Sequence, residues 1–217
     1  MRIGVLGTGV VGATLATKFV EVGHEVVMGS RGGSNDKATE WSASTGGEGR
    51  AGTFADAAEF GEVVVNATSG QASLAALELA GADNLAGKVL VDVANPLDFS
   101  QGMPPTLTVA NTDSLGERIQ RAFPSVRVVK ALNTVNANVM VNPTDLPSPT
   151  NLFVAGNDQK AKDTVVSLLG SFGWAADRIV DLGDISAARA QEAYVLLWVR
   201  LMKTLGTVAF NVSIVKV

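Results

Sequence analysis

Three glycines near the amino terminus, Gly7, Gly9 and Gly12, constrain the fold of this chain more than any other feature. They form the pattern G-x-G-x-x-G directly after Ile3–Leu6, a short apolar run typical of a strand, and a helix-like stretch and a second strand-like run follow. In such a unit the first glycine permits a tight turn, the second lets the backbone approach a pyrophosphate, and the third lets the helix pack closely. The pattern therefore predicts a dinucleotide site whose phosphates face the amino end of a helix that starts near Val10.

The residues after the second predicted strand indicate which dinucleotide binds. Sites for NAD place an Asp or Glu there to bind the ribose 2′-hydroxyl, but this chain has Ser30 and Arg31. Arg31 can bind a 2′-phosphate through two hydrogen bonds, Ser30 can donate its hydroxyl, and Lys37 can add positive charge. At about 1.5–3 kcal/mol per charge-assisted hydrogen bond, one or two such contacts favour NADP over NAD by roughly ten- to several-hundred-fold. In the alternative interpretation, Arg31 and Lys37 lie on a solvated loop and helix.

Strand-like and helix-like segments alternate along the rest of the chain. This order predicts the α/β class: a Rossmann-type, doubly wound, mostly parallel sheet with helices on both faces and a small C-terminal helical element. We predict an NADP-binding domain at residues 1–182 and a C-terminal helical segment at 183–217. A proline-containing loop at 142–150 is a candidate lid.

Ligands of doubly wound sheets bind in a crevice outside the carboxyl ends of the strands. The residues predicted to surround this crevice are Gly7, Thr8, Gly9, Val10, Val11, Gly12, Ser30, Arg31, Ala67, Thr68, Ser69, Val93, Ala94, Asn95, Pro96, Asn133 and Thr134.

Charge and composition exclude several classes of function. The net charge is −4 at pH 7 and there is no basic run, which argues against nucleic-acid binding. The sequence has no cysteine, which excludes disulfides and thiolate catalysis and suits a reducing compartment. No apolar stretch approaches the ~20 residues of a membrane span, and no paired histidines or carboxylates have the spacing of a metal site. We therefore predict a cytoplasmic protein without a metal, membrane or nucleic-acid partner.

The stretch 185–205 predicts a long helix that is apolar on nearly every face between Ala193 and Met202, apart from Arg200. A helix of this kind has to be buried on more than one side. Because closed two-fold dimers are the commonest oligomers, we expect one face to pack on its own subunit and another on a second copy. A central core helix in a monomer is the alternative.

The predicted crevice has few groups that can move a proton. The single histidine, His24, precedes the second strand and so lies at the opposite end of the sheet, and Tyr194 lacks the lysine of a Tyr-x-x-x-Lys acid, since Trp198 stands there. Asn133 and Lys130 remain as weak catalytic candidates, and strand alternation leaves the direction of the Lys130 side chain open. Such a crevice favours hydride transfer between two stacked rings, in which proximity supplies most of the rate and the cofactors carry the chemistry.

Five stretches spread over almost the whole chain carry a family resemblance: Gly7–Gly12, Gly23–Arg31, Val128–Thr134, Ala155–Asp158 and Asp181–Gly183. They resemble the F420-dependent NADP oxidoreductases, and the oxidoreductase domain of the STEAP metalloreductases is also similar.

The resemblance implies a Rossmann domain that binds NADP(H), a C-terminal part in a homodimer, and hydride transfer between the nicotinamide and the deazaflavin ring of coenzyme F420, a small-molecule co-substrate. It also implies roles for single residues: Thr8, Val10 and Val11 line the pyrophosphate loop, Ser30 and Arg31 hold the 2′-phosphate, Thr68 and Ser69 flank the nicotinamide ribose, and Ala94, Asn95, Pro96 and Asn133 border the stacked rings.

This sequence departs from the family pattern at Asn133 and at Thr68–Gln71, so the resemblance implies NADP binding more directly than it implies the second substrate. Two alternatives stay open: an NADPH-dependent reductase of a flavin, an imine or a small carbonyl compound, and a non-catalytic NADP(H)-binding sensor.

Overall fold

The computed structural model describes residues 1–216 and is built around an eight-stranded sheet. In spatial order its strands are β10 (Ile179–Asp181), β9 (Leu152–Gly156), β8 (Arg127–Ala131), β5 (Val89–Asp92), β4 (Val63–Asn66), β1 (Arg2–Leu6), β2 (Glu25–Ser30) and β3 (Gly49–Thr53). Neighbouring strands are parallel except β8 and β9, which are antiparallel. The predicted mostly parallel, doubly wound α/β sheet is confirmed.

Helices cover both faces of the sheet. They are α1 (Val10–Glu21), α2 (Asp36–Ser44), α3 (Phe54–Phe60), α4 (Ser73–Ala80), α5 (Ala82–Leu85), α6 (Leu115–Ala122), α7 (Ala137–Val141), α8 (Gln159–Gly170) and α9 (Ala188–Leu205). Side chains of α1, α2, α7 and α8 form the core on one face, and those of α3, α4 and α6 with the start of α9 form the core on the other. Within residues 1–216 no helix has the length and apolarity needed to cross a membrane.

The central strands are apolar throughout because both of their faces are covered. In β4 the side chains of Val63 and Val65 enter one core and that of Val64 enters the other, as strand alternation requires. Helix α3, which follows β3, starts with a capping box. Thr53 accepts from the backbone N–H of Asp56, and the Asp56 carboxylate accepts from the backbone N–H of Thr53.

The connecting loops contain one additional hairpin and one departure from the predictions. The loop after β5 contains a small antiparallel hairpin made of β6 (Leu97–Asp98) and β7 (Thr106–Leu107). The proline-containing loop at 142–150 is not over the crevice at the carboxyl ends of the strands. It borders a separate cavity of about 310 Å³ together with Gly173–Ala175 and Arg178. The side chain of Asn211 donates a hydrogen bond to Thr150 Oγ1, and this contact holds the loop in its position beside the separate cavity.

The C-terminal segment packs on the Rossmann core. Helix α9 places Gln191 and Glu192 in the interior, where each is at most 2% exposed. The tail after α9 follows the start of β9, where the backbone N–H of Asn151 donates to Val212 O. Segment 183–217, as far as it is described, therefore contributes to the same core as residues 1–182.

Candidate functional site

The glycine loop between β1 and α1 has the shape that its sequence predicts. Gly7 has φ +119°, a backbone conformation that favours glycine, and a Cβ atom there would lie 2.7 Å from Ala67 O. A Cβ on Gly12 would overlap Gly7 O, so Gly12 permits close packing of helix and loop. A Cβ on Gly9 would meet no atom within 4 Å, so the backbone borders open space at the amino end of α1. These residues fit a pyrophosphate, which needs open space and free N–H groups.

A cavity of about 260 Å³ begins at this loop. Its lining contains one charged residue, Arg31, which is exposed at the rim. Ser30 is buried, and its hydroxyl donates to Gly32 O at 2.6 Å, so it shapes the loop that carries Arg31. Lys37 is exposed in the first turn of α2 and does not line this cavity. The full lining is Gly7, Thr8, Gly9, Arg31, Phe54, Ala67, Thr68, Ser69, Ala72, Ala75, Ala76 and Leu79.

A larger cavity of about 690 Å³ continues from the first, and the two share Ala67–Ser69. We call the smaller cavity the phosphate end and the larger one the acceptor end of the crevice. The acceptor end is lined by Val10, Val11, Ala67–Gln71, Val93–Asn95, Leu97–Ser100, Asn133–Ala137, Met140, Val195 and Trp198. Pro96 is buried beside this lining and is not part of it. The structure thus brings most of the predicted crevice residues together.

The walls of the acceptor end are connected by a buried polar chain. Thr68 Oγ1 donates to Asn66 Oδ1 at 2.7 Å, and Asn66 Nδ2 donates to Asp92 Oδ1 at 2.8 Å. Lys130 Nζ lies 2.9 Å from Asp92 Oδ2 and 2.8 Å from Glu192 Oε1. The chain therefore links the loops after β4 and β5 to strand β8 and helix α9.

Lys130 itself is sealed away from the crevice. It is 0% exposed, and its ammonium also donates to the carbonyl oxygen of Ala94. Burial alone lowers the pKa of Lys130, but the charges of Asp92 and Glu192 outweigh it, and the net shift is upward. The Glu192 carboxylate accepts from the backbone N–H groups of Leu115 and Gly116 at the start of α6. Lys130 stays protonated and paired, so it orients the walls and does not supply a proton to a ligand.

The side chain of Asn133 is likewise hydrogen-bonded to other residues of the protein. Its Nδ2 donates to Asn95 Oδ1 at 2.9 Å and to Gln191 O at 3.0 Å, which uses both N–H groups. Asn95 Nδ2 returns a hydrogen bond to Asn133 O at 2.8 Å. The two residues therefore fasten the loop after β5 to the loop after β8, and Asn133 positions the wall.

Two polar groups beside the acceptor end have no partner among the described residues. They are the hydroxyl of Thr134 and the indole N–H of Trp198, whose ring stacks on Phe210 with centroids 5.4 Å apart. A buried polar group without a partner costs about 1–3 kcal/mol. A bound ring with hydrogen-bonding edges can compensate this cost after a small shift of either side chain.

Other candidate groups lie elsewhere. His24 Nδ1 is 3.2 Å from the amino group of Met1, at the amino end of the sheet. Burial first and the nearby amino-terminal charge second lower the His24 pKa, so the imidazole is neutral at pH 7. Residues 1–216 contain no group of three His, Asp or Glu side chains able to hold a metal ion.

Comparison with known proteins decides the family. The family model described as NADP oxidoreductase, coenzyme F420-dependent, matches residues 2–96. A crystal structure from Arthrobacter sp. FB24, provisionally assigned as an F420-dependent NADP reductase, is 49% identical over the full length of both chains and has a TM-score of 0.93. The chain belongs to the F420-dependent NADP oxidoreductase family.

Two curated relatives agree with this membership in a family of NADP-dependent oxidoreductases. The F420-dependent NADP reductase of Methanothermobacter marburgensis is 29% identical over 93% of this chain and 92% of its own length. Metalloreductase STEAP3 of Rattus norvegicus is 31% identical over 88% of this chain. The chain spans about a third of that protein, 36% of its length.

Sequence reasoning missed the residues of this oxidoreductase that come from α9 and from the strand ends. Asn66 and Asp92 each end an otherwise apolar strand, a signal that could have identified them. Glu192 and Gln191 carry no such signal, because they precede the apolar part of α9. Chemically, the assembled crevice can bind and align two planar groups, since most of its polar side chains are already hydrogen-bonded to the protein.

Proposed function

We propose that this chain transfers hydride between NADPH and the deazaflavin ring of coenzyme F420, with both rings in the acceptor end of the crevice. The observation that carries the proposal is the lining of this end: apolar side chains, neutral amides and hydroxyls, with Asp98 as the one titratable side chain among the described lining residues. The names of the relatives at 49% and 29% identity support the same reaction.

NADP(H) supplies the hydride when it is bound. The glycine loop and the amino end of α1 hold its pyrophosphate, and Arg31 at the rim holds its 2′-phosphate. Ala67–Ser69, which both cavities share, would border the nicotinamide between the two ends. The larger end would hold the acceptor ring beside it, and proximity would supply most of the rate. The proton that accompanies the hydride comes from water, because Lys130 is buried and paired with the carboxylates of Asp92 and Glu192.

Reduction of an imine or carbonyl compound needs a proton donor at the reacting group. Among the described lining residues the acceptor end offers none besides Asp98, whose pKa is lowered by hydrogen bonds from Ser100. A deazaflavin ring, which accepts hydride at carbon and takes its proton at a solvent-reachable nitrogen, is a better match.

The test is NADPH oxidation by the purified protein with coenzyme F420 as acceptor, and with NADH as donor or FMN as acceptor in parallel. We expect turnover with NADPH and F420, at least tenfold slower turnover with NADH, and little with FMN. Tight NADPH binding without F420 turnover would overturn the proposed reaction and leave only the cofactor assignment.

We also propose that the functional unit is a cytoplasmic homodimer formed through α9. Leu197 and Leu205 on this helix are 54% and 55% exposed, while its opposite face packs on the core. A second copy of the helix is the simplest partner for this face. Leu197→Glu should convert a dimer to a monomer in light scattering, whereas Met103→Glu, at a position 63% exposed in a loop, should not. A monomeric unmodified chain would contradict the dimer.

A further inference from the structure

The two ends of the crevice carry opposite charges. The phosphate end has Arg31 as its charged lining residue, and the acceptor end has Asp98. The sequence extends this contrast beyond the lining, because residues 51–87, 89–117 and 131–159 contain no Lys, Arg or His. These stretches supply every loop of the acceptor end, so positive charge is missing from its loops as well as from its surface.

The amino end of α1 and helix α9 form the remaining walls and do not change this balance. They contribute Val10 and Val11, and Val195 and Trp198, to the lining. Arg189 is held by Glu117 at 2.8 Å on the α6 side, and the exposed Arg200 and Lys203 are not among the lining residues.

Asp98 lines the acceptor end at the close of β6, and the exposed residues Phe99 and Ser100 follow it. Its Oδ1 accepts from the backbone N–H of Ser100 at 2.8 Å. This hydrogen bond is the main cause of its lowered pKa, so the carboxylate is ionised at pH 7. The carboxylate is only partly buried and next to the exposed ring of Phe99, so an acceptor that enters this end passes close to a fixed negative charge.

We infer that the acceptor end binds its substrate through the ring alone and disfavours anionic substituents, with Asp98 as the residue that sets this specificity. The inference rests on the proposed function and names the class of acceptor that the site prefers. Coenzyme F420 carries phosphate and glutamate carboxylates on its side chain. None of the described lining residues offers that side chain a cation, and on this inference it would extend to solvent past Asp98.

Two consequences follow for the reaction with saturating NADPH. The deazaflavin riboside, which has the same ring and lacks the phosphate and glutamate groups, is used with kcat/KM at least equal to that of F420. Added salt screens the repulsion between Asp98 and the anionic side chain. Between low and moderate ionic strength, kcat/KM for F420 should therefore rise about two- to fivefold, while that for the riboside stays constant. If a cation at the site bound the side chain, kcat/KM for F420 would instead fall as salt is added.

The experiment compares F420 and the riboside over a range of NaCl concentrations in three proteins: the unmodified chain, Asp98→Asn and Asp145→Asn. The asparagine at 98 keeps an acceptor for the Ser100 N–H and removes the charge. Asp145 is exposed on the turn Pro143–Asp145, away from the crevice lining, and controls for the loss of one negative charge. We expect Asp98→Asn to flatten the salt slope for F420 and Asp145→Asn to keep it.

The outcomes separate this inference from the proposed function. Preference for F420 over the riboside by more than threefold, a rate with F420 that falls with salt, or a slope unaffected by Asp98→Asn would each overturn the inference while the hydride transfer stands. Failure of both deazaflavins to oxidise NADPH would overturn the proposed function and this inference with it.

Discussion

The phosphate end and the acceptor end of the crevice are built in different ways. The groups of the phosphate end that are proposed to bind the cofactor, namely the glycine loop, the amino end of α1 and Arg31, lie in one stretch of chain, in which β1, α1 and β2 are neighbours in sequence and in space. The acceptor end is assembled from the loops after β4, β5 and β8 and from α9, and buried polar contacts hold these segments together. Local sequence therefore determines the proposed binding groups of the first end, and long-range contacts determine the second end.

The largest expected effect comes from removing the charge at the centre of the long-range contacts. Lys130→Met leaves Asp92 and Glu192 buried without their cation, so the free energy of unfolding should fall by about 3–5 kcal/mol. Urea denaturation measures the loss. The matched control is Lys160→Met, an exposed position on α8, which should stay within about 0.5 kcal/mol of the unmodified protein.

Removing the charge of Glu192 tests whether the unpaired buried carboxylates cause the loss of stability in Lys130→Met. Adding Glu192→Gln to Lys130→Met should recover part of the lost stability, since one buried carboxylate is then gone. A Lys130→Met protein that loses less than about 1 kcal/mol would show that the buried ion pairs do not hold the acceptor end together.

The next effect concerns the phosphate end. Arg31→Ala should raise the Kd for NADPH at least about 10- to 150-fold, because each charge-assisted hydrogen bond to the 2′-phosphate is worth about 1.5–3 kcal/mol. The Kd for NADH should change less than about threefold, and Lys37→Ala should change neither Kd by more than this, since Lys37 does not line the cavity. Equal weakening of NADPH and NADH by Arg31→Ala, measured by calorimetric titration, would contradict the role of Arg31.

The smallest effect concerns the pair that fastens two loops of the acceptor end. Asn95→Ala and Asn133→Ala should each lower kcat/KM for the acceptor about 2- to 12-fold, with the NADPH Kd unchanged, because each loses neutral hydrogen bonds worth about 0.5–1.5 kcal/mol. The double variant should be little worse than either single one, since the two side chains act together. Additive losses in this double-mutant cycle would mean that the residues work separately.

These two ends also differ in how far the sequence predicts them. The glycine loop, the helix behind it and the position of Arg31 follow from a local motif with a known physical cause, and the buried apolar strands identify the sheet. The direction of Lys130 depends on whether α9 brings Glu192 against β8, and no local pattern encodes that contact. The loop at 142–150 is a similar case, because its side of the sheet depends on packing against Gly173 and Trp174.

The most direct test of the central claim is to follow a label. NADPH in which deuterium replaces both hydrogens at the reactive carbon of the nicotinamide is offered to the protein with F420, and the reduced deazaflavin is analysed by mass spectrometry. Direct transfer within one crevice predicts that the product gains one deuterium and that little label reaches water. Recovery of the label in the solvent, or an unlabelled reduced deazaflavin, would contradict it.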